Sequence, residues 1–124
     1  MTDTKTNKRR TGSRYEDKAC EFLQKQGLKI IERNFRCKKG EIDIIARDEK
    51  TVVFLEVKYR KNKSMGFPCE AVDQKKQATI SAVADFYRIR YKLSDETAYR
   101  FDVISIMGDE IKWYKNAFDY CGYC

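Results

Sequence analysis

Residues 40–60 read GEIDIIARDEKTVVFLEVKYR, and this stretch decides the fold. The pattern predicts one strand over Glu41–Arg47 and a second over Thr51–Tyr59, which is rich in β-branched and aromatic residues. The polar connection over residues 48–50 is short enough for a hairpin. The two strands are therefore expected to pair side by side in antiparallel fashion.

The length of the hairpin loop decides which charged side chains share a face of the sheet. Glu56 and Lys58 are two residues apart in one strand, so they point the same way. A loop with an even number of residues puts Asp43 opposite Phe54 and diagonal to Glu56, and it brings Glu41 to the same face. An odd loop would separate them. We predict the even loop.

The rest of the chain supplies two helices and three more strands. The predicted elements are a helix over Arg14–Gln26, a strand over Leu28–Phe35, a helix over Glu70–Tyr91, and strands over Tyr99–Met107 and Glu110–Tyr114. The order is α-β-β-β-α-β-β, which indicates an α/β fold with a mixed sheet flanked by helices. We expect a disordered basic arm over residues 1–11, a single domain over 12–118 and a tail over 119–124.

Composition narrows the chemistry that this chain can perform. Its 124 residues include no histidine, which excludes Ser-His-Asp triads, Cys-His nucleophiles and His-ligated zinc. Five irregularly spaced cysteines argue against a disulfide framework. No apolar run of ~18 residues and no secretory signal are present, so we expect no membrane partner and a cytoplasmic location.

The charged residues inside the strands predict a site for a divalent cation. Carboxylates gathered on one sheet face repel one another, and Mg²⁺ or Mn²⁺ would relieve that repulsion. Lys58 could then orient or deprotonate a water acidified by the cation, as phosphodiester hydrolysis requires. The same residues also fit cross-strand ion pairs on a solvent-facing sheet, and their spacing alone leaves both interpretations open.

Two helical residues extend this candidate site. Glu16 lies at the edge of the apolar stripe of the first helix, so it could reach the sheet; it also fits the capping-box partner of Ser13. Lys76 falls on the stripe of Val72 and Thr79, where a lysine is unusual unless it meets an acidic site or a phosphate. Alternatively, its stem covers apolar surface while its ammonium group reaches water.

Clustered basic residues predict a polyanionic partner. Lys and Arg number 26 against 19 Asp and Glu, which gives a net charge of +7. Such a balance suits nucleic acid. The predicted nucleic-acid-binding residues lie in the N-terminal arm and after the hairpin: Arg9, Arg10, Arg14, Arg60, Lys61 and Lys63. Each cluster by itself also fits an ordinary solvated surface.

An ordered set of motifs resembles the bacterial YraN family of endonuclease-like proteins, within the restriction-endonuclease-like PD-(D/E)xK superfamily that includes archaeal Holliday junction resolvases. The resemblance covers residues 12–118. Its motifs are Gly40-Glu-Ile-Asp43-Ile-Ile-Ala, Val53-Phe-Leu-Glu56-Val-Lys58-Tyr-Arg60, Arg33-Asn34, Gly66-Phe-Pro68-Cys-Glu70-Ala-Val72, the Lys76 position, Arg100-Phe-Asp102 and Asn116-Ala-Phe118.

The resemblance implies roles for individual residues. It makes Asp43 and Glu56 metal ligands and Lys58 the catalytic lysine. Glu16 and Lys76 match catalytic positions in the two helices, while Glu41 either supports these ligands or binds a second ion. The implied function is Mg²⁺- or Mn²⁺-dependent cleavage of nucleic acid, with branched or damaged DNA as the expected substrate and a homodimer as one arrangement. A non-catalytic nucleic-acid-binding module and a structural protein are the alternatives.

Overall fold

The computed structural model describes residues 4–60 and 72–121, with the backbone alone described for residues 4–13. It contains two helices and five strands in the predicted order. Their bounds are α1 Thr4–Lys25, β1 Lys29–Cys37, β2 Gly40–Asp48, β3 Thr51–Tyr59, α2 Gln74–Arg90, β4 Tyr99–Met107 and β5 Glu110–Phe118. The predicted mixed α/β architecture is therefore confirmed.

The five strands form one sheet in the spatial order β1-β2-β3-β4-β5. All neighbouring pairs are antiparallel except β3 and β4, which run parallel. A parallel pair needs a crossover connection, and α2 lies in that connection. The core has two halves, because α1 packs on one face with Ile44 and Leu55, and α2 packs on the other with Ile45 and Phe54.

Helix α1 is longer than the sequence pattern predicts. It begins at Thr4, so residues 4–11, which the composition predicts to be disordered, are helical. Lys and Arg have high helix propensity, and no proline interrupts this segment. Ser13 lies inside the helix, so the predicted N-cap is wrong. The end of the helix is as predicted, since Gly27 follows it with φ 96°.

The other bounds differ mainly at the ends of elements. Helix α2 begins at Gln74, because the side chain of Asp73 caps it by accepting a hydrogen bond of 2.8 Å from the backbone N–H of Lys76. The predicted start at Glu70 lies outside the described residues. Strand β5 continues four residues beyond Tyr114, through an irregularity near Asn116, whose φ is 51°.

The hairpin loop has an even number of residues, as predicted, but the two strands pair in a different register. Asp48 pairs with Thr51, so the loop holds two residues, Glu49 and Lys50, and the even length is confirmed. Ile45, not Asp43, faces Phe54. The predicted register also has a two-residue loop, at Asp48 and Glu49, so the observed turn lies one residue further along the chain. Glu49 is its first central residue, with a positive φ of 56° that suits this position of a hairpin turn.

Within the described ranges 4–60 and 72–121, neither helix is long and apolar enough to cross a membrane.

Candidate functional site

Strands β2 and β3 separate at the charged residues. Their ladder runs from Asp48–Thr51 to Ile44–Leu55. Beyond that pair, β2 continues against β1 and β3 continues against β4. The carboxylate of Asp43 takes the place of a main-chain partner, because its Oδ2 accepts a hydrogen bond of 2.8 Å from the backbone N–H of Val57.

An irregularity in β1 accompanies this separation. Asn34 adopts a φ of 55°, between the pairs Arg33–Ile44 and Phe35–Ile42. The normal alternation of side chains fails here, since Ile42 packs on the α2 side of the sheet and Ile44 on the α1 side. Asp43 therefore lies where the alternation of β2 breaks, within electrostatic reach of Glu16 on α1 and of Glu56 on β3.

The surroundings of Asp43 favour its protonated form. Burial and the nearby charge of Glu56 are the two largest causes, and they raise the pKa of Asp43 from 3.8 to about 7. The N–H of Val57 opposes this rise, while Glu16 and Glu41 add to it. The charges of three carboxylates, those of Glu56, Glu16 and Glu41, thus all raise the pKa of Asp43.

Glu56 is the acidic centre of the site. It is 7% exposed, and burial raises its pKa, an effect that Lys76 and Lys58 counteract. Its Oε1 lies 3.5 Å from Nζ of Lys58 and 3.7 Å from Nζ of Lys76. Lys76, in the first turn of α2, therefore lies beside an acidic group on β3. This is the first of its two predicted roles, a lysine that meets an acidic site.

Glu16 faces the sheet, but strand β1 holds it there. Its Oε1 accepts a hydrogen bond of 2.9 Å from Nδ2 of Asn34 and lies 3.5 Å from Nη2 of Arg33. Arg33 also pairs with Asp17 at 2.7 Å. The capping-box role is wrong because Ser13 does not begin the helix.

Glu41 stands at the margin of the site. Its side chain is 41% exposed and its Oε2 lies 2.8 Å from Nε of Arg36. It is the last of the causes that raise the pKa of Asp43 and of Glu56. Glu41 is thus brought near these two residues, but its closest partner is an arginine.

The predicted nucleic-acid-binding residues are described only in part. Arg9 and Arg10 lie in α1, where only the backbone is described, and Arg14 is exposed on the same helix. Arg60 follows β3, is half-buried, and its Nε has no hydrogen-bond partner among the described residues. Lys61 and Lys63 lie outside the described residues.

Sequence reasoning missed the roles of Arg33 and Asn34. Both appeared only as part of a motif, with no task assigned. Asparagine is one of the few residues that adopt a positive φ readily, so Asn34 inside a predicted strand was a signal for a break in that strand. Asn34 orients Glu16, which lies 18 residues earlier, in α1. Local spacing could not reveal this contact, because it depends on how α1 packs against β1.

The donor set fits a magnesium ion held by two carboxylates. Among residues 14–60 and 72–121, no three His, Cys, Asp or Glu side chains form a group that could hold a metal ion. Magnesium, however, is commonly bound by one or two carboxylates, with water and phosphate completing its shell. Asp43 and Glu56 are two such ligands, and their desolvation and repulsion would be relieved by a cation.

Comparison with known proteins places the chain among close relatives. The model of the Uncharacterised protein family UPF0102 matches residues 15–106. A UPF0102 protein of Lachnoclostridium phytofermentans is 45% identical over 116 residues, which is 94% of this chain and 98% of the relative. One from Fusobacterium nucleatum is 47% identical over 110 residues, covering 89% and 92% of the two chains. One from Caldicellulosiruptor bescii is 49% identical over 104 residues, covering 83% and 87%. These matches agree with the resemblance to the YraN family.

Proposed function

Because this chain belongs to the uncharacterised protein family UPF0102, whose description states no activity, we propose its function from the site itself. The chain is a divalent-metal-dependent nuclease with a restriction-endonuclease-like fold of the PD-(D/E)xK type. It hydrolyses phosphodiester bonds in nucleic acid, with DNA as the expected substrate.

One observation carries this proposal: two desolvated carboxylates lie together at the end of the β2–β3 ladder, and lysines flank one of them. Burial raises the pKa of both Asp43 and Glu56, which costs the metal-free fold stability. Ordinary surface ion pairs do not require such burial. A site that binds a cation and a phosphate explains why the chain keeps this arrangement.

Asp43 and Glu56 would hold Mg²⁺ or Mn²⁺. When bound, the ion would acidify a water molecule and offset the negative charge that builds on the phosphate during hydrolysis. The Val57 N–H holds the Asp43 carboxylate in place from the backbone of β3, so this ligand does not have to be ordered on binding.

The lysines and Glu16 complete the proposed chemistry. Lys58, whose side chain is 25% exposed, is close enough to Glu56 to reach a phosphate oxygen or a water beside it. Lys76 approaches the same carboxylate from α2, and its 36% exposure leaves its ammonium group open to a substrate phosphate. Glu16, fixed by Asn34, supplies a further carboxylate on the α1 side.

A second candidate function is a non-catalytic nucleic-acid-binding module. The observation that favours it is the neutralisation of Glu56 by Lys58 and Lys76, which satisfies this carboxylate without any ion. In that case, the basic surface would bind phosphates and the acidic residues would serve the fold alone.

A cleavage assay separates the two functions. Labelled duplex, single-stranded, flapped and four-way-junction DNA are incubated with the full chain in Mg²⁺, Mn²⁺ or EDTA. The nuclease hypothesis predicts metal-dependent cleavage that Asp43→Asn, Glu56→Gln and Lys58→Met each reduce by about 100-fold or more. Glu21→Gln, which removes a negative charge from the exposed face of α1, is the matched control and should cleave normally.

Each outcome favours one function. Undiminished DNA binding with no cleavage in either metal would support the binding module. Cleavage that survives Asp43→Asn and Glu56→Gln would show that the activity comes from a contaminating enzyme. Loss of DNA affinity in Lys58→Met, together with gained or unchanged affinity in Asp43→Asn, would agree with a phosphate lying over this site.

A further inference from the structure

A pair of stacked tyrosines lies at the end of β3, next in sequence to residues of the proposed site. The rings of Tyr15 in α1 and Tyr59 at the end of β3 have centroids 4.0 Å apart and planes inclined by 21°. Tyr15 packs partly against the α1-side core. Tyr59 is 38% exposed, so part of its ring remains open to solvent. A rigid aromatic surface is thus presented where β3 leaves the sheet.

Each tyrosine is the chain neighbour of a proposed site residue. Tyr59 follows Lys58 and Tyr15 precedes Glu16, so their Cα atoms lie only ~3.8 Å from those of the site residues. Alternation along β3 turns Tyr59 toward the α1 side of the sheet while Lys58 faces α2. The two side chains thus point to opposite faces, so a nucleic-acid strand that contacts both must pass around the C-terminal end of β3, where their backbones are adjacent.

Cations surround the pair. Arg14 and Arg60 adjoin the two tyrosines in sequence, and Nζ of Lys18 lies 5.9 Å from the centroid of the Tyr15 ring. The other exposed aromatic residues of the described part lie in α2, at its C-terminal cap and after β5: Phe86, Tyr91 and Tyr120. An aromatic ring among cations is the combination by which proteins hold single-stranded nucleic acid.

We propose that the Tyr15–Tyr59 pair is a stacking platform for an unpaired nucleobase of the substrate. This inference rests on the proposed nuclease function and names its substrate class: DNA with an unpaired nucleotide beside the cleaved phosphate, such as a bulge, flap or single strand. Bases in a continuous duplex are stacked on their neighbours and cannot offer a face to Tyr59. Because Tyr15 already orders the ring of Tyr59, an added base extends a stack that exists before binding.

Binding is measured in EDTA, which prevents cleavage, with two fluorescent duplexes of equal length. One is fully paired, and the other carries a single unpaired 2-aminopurine. The platform predicts that Tyr59→Leu weakens binding of the bulged duplex by about 5- to 150-fold and leaves the paired duplex unchanged. Tyr59→Phe keeps the ring and should retain the preference. Tyr91→Leu replaces another exposed tyrosine, 47% exposed and outside the site, and should alter neither affinity.

The fluorescence of 2-aminopurine gives a second readout, because stacking on an aromatic ring quenches it. Quenching by the wild-type chain and by Tyr59→Phe, but not by Tyr59→Leu, would support the platform. Equal loss of affinity for both duplexes in Tyr59→Leu, or no loss for either, would overturn it.

A parallel cleavage assay in Mg²⁺ keeps the two proposals apart. Cleavage of paired and bulged DNA at equal rates, unaffected by Tyr59→Leu, would overturn the platform and leave the nuclease standing. A bulge preference that depends on Tyr59, without cleavage of either DNA in Mg²⁺ or Mn²⁺, would support the platform and reject the nuclease.

Discussion

Replacing Asp43 by asparagine should remove a pH-dependent weakness of the metal-free fold. In the folded chain, the pKa of Asp43 is raised to about 7 by burial and by Glu56, whereas an unfolded aspartate titrates near 3.9. A group whose pKa is higher in the folded state binds its proton more tightly there. It therefore stabilises the fold fully below pH ~4, and this contribution is lost as the pH rises through about 7.

The magnitude follows from the two pKa values. Their difference, at about 1.4 kcal/mol per pH unit, gives about 4 kcal/mol as an upper bound for the loss in free energy of unfolding. Asp43 is only half-buried and keeps its bond to Val57, so we expect about 2 kcal/mol. Asparagine has nearly the same shape and its Oδ1 can accept the same N–H, but it does not ionise.

Urea unfolding in EDTA between pH 3.5 and pH 8, followed by the fluorescence of Trp113, measures this effect. The free energy of unfolding of the wild type should fall by about 2 kcal/mol relative to Asp43→Asn over this range. Mg²⁺ at ten times its dissociation constant should restore about 1.4 kcal/mol at pH 8 to the wild type alone. Glu21→Gln is the charge-matched control. A constant difference between wild type and Asp43→Asn across this range would refute the reasoning.

Three further perturbations test other parts of the molecule. A Cβ at Gly40, where φ is 147°, would stand 2.8 Å from Cγ2 of Thr79, so Gly40→Ala should lower the free energy of unfolding by about 1–3 kcal/mol in urea. Asp102→Ala removes a fully buried acceptor bonded to Arg100 and Trp113, and should cost about 3–5 kcal/mol in the same experiment. A loss below about 1 kcal/mol would show that this network is dispensable. Deleting residues 1–11 should weaken DNA binding and reduce its dependence on salt, as fluorescence anisotropy would show; the log–log slope should fall by about one for each phosphate that this segment neutralises. An unchanged slope would show that the segment touches no phosphate.

Compensating contacts explain why the fold tolerates two desolvated carboxylates in the metal-free chain. One buried carboxylate is countered by two lysines, and the other is held by a backbone N–H. The same contacts fit a structural ion-pair cluster and a metal site. The stability assay tests whether the carboxylates bind a cation, and the cleavage assay tests whether the chain is a nuclease. Stability alone would not distinguish a nuclease from a binding module.

Local pattern predicted the elements well where strand-forming residues were dense. The bounds of β3 and β4 were correct to the residue, because runs rich in β-branched and aromatic side chains are a strong local signal for strands. The start of α1 was misplaced, since charged residues with high helix propensity were interpreted as a disordered arm. Composition alone does not separate a solvated helix from a disordered segment.

The sequence by itself determined which residues could form the site. With no histidine, carboxylates, lysines and cysteines remained, and period-two alternation put Glu56 and Lys58 on one face. Tertiary structure decided how they meet. The position of the turn, at Glu49 and Lys50, set the register of the hairpin, and the irregularity at Asn34 accompanies the separation of the strands beside Asp43. Alternation is encoded within each strand, but register and the approach of helices depend on packing between segments far apart in the chain, which no local pattern contains.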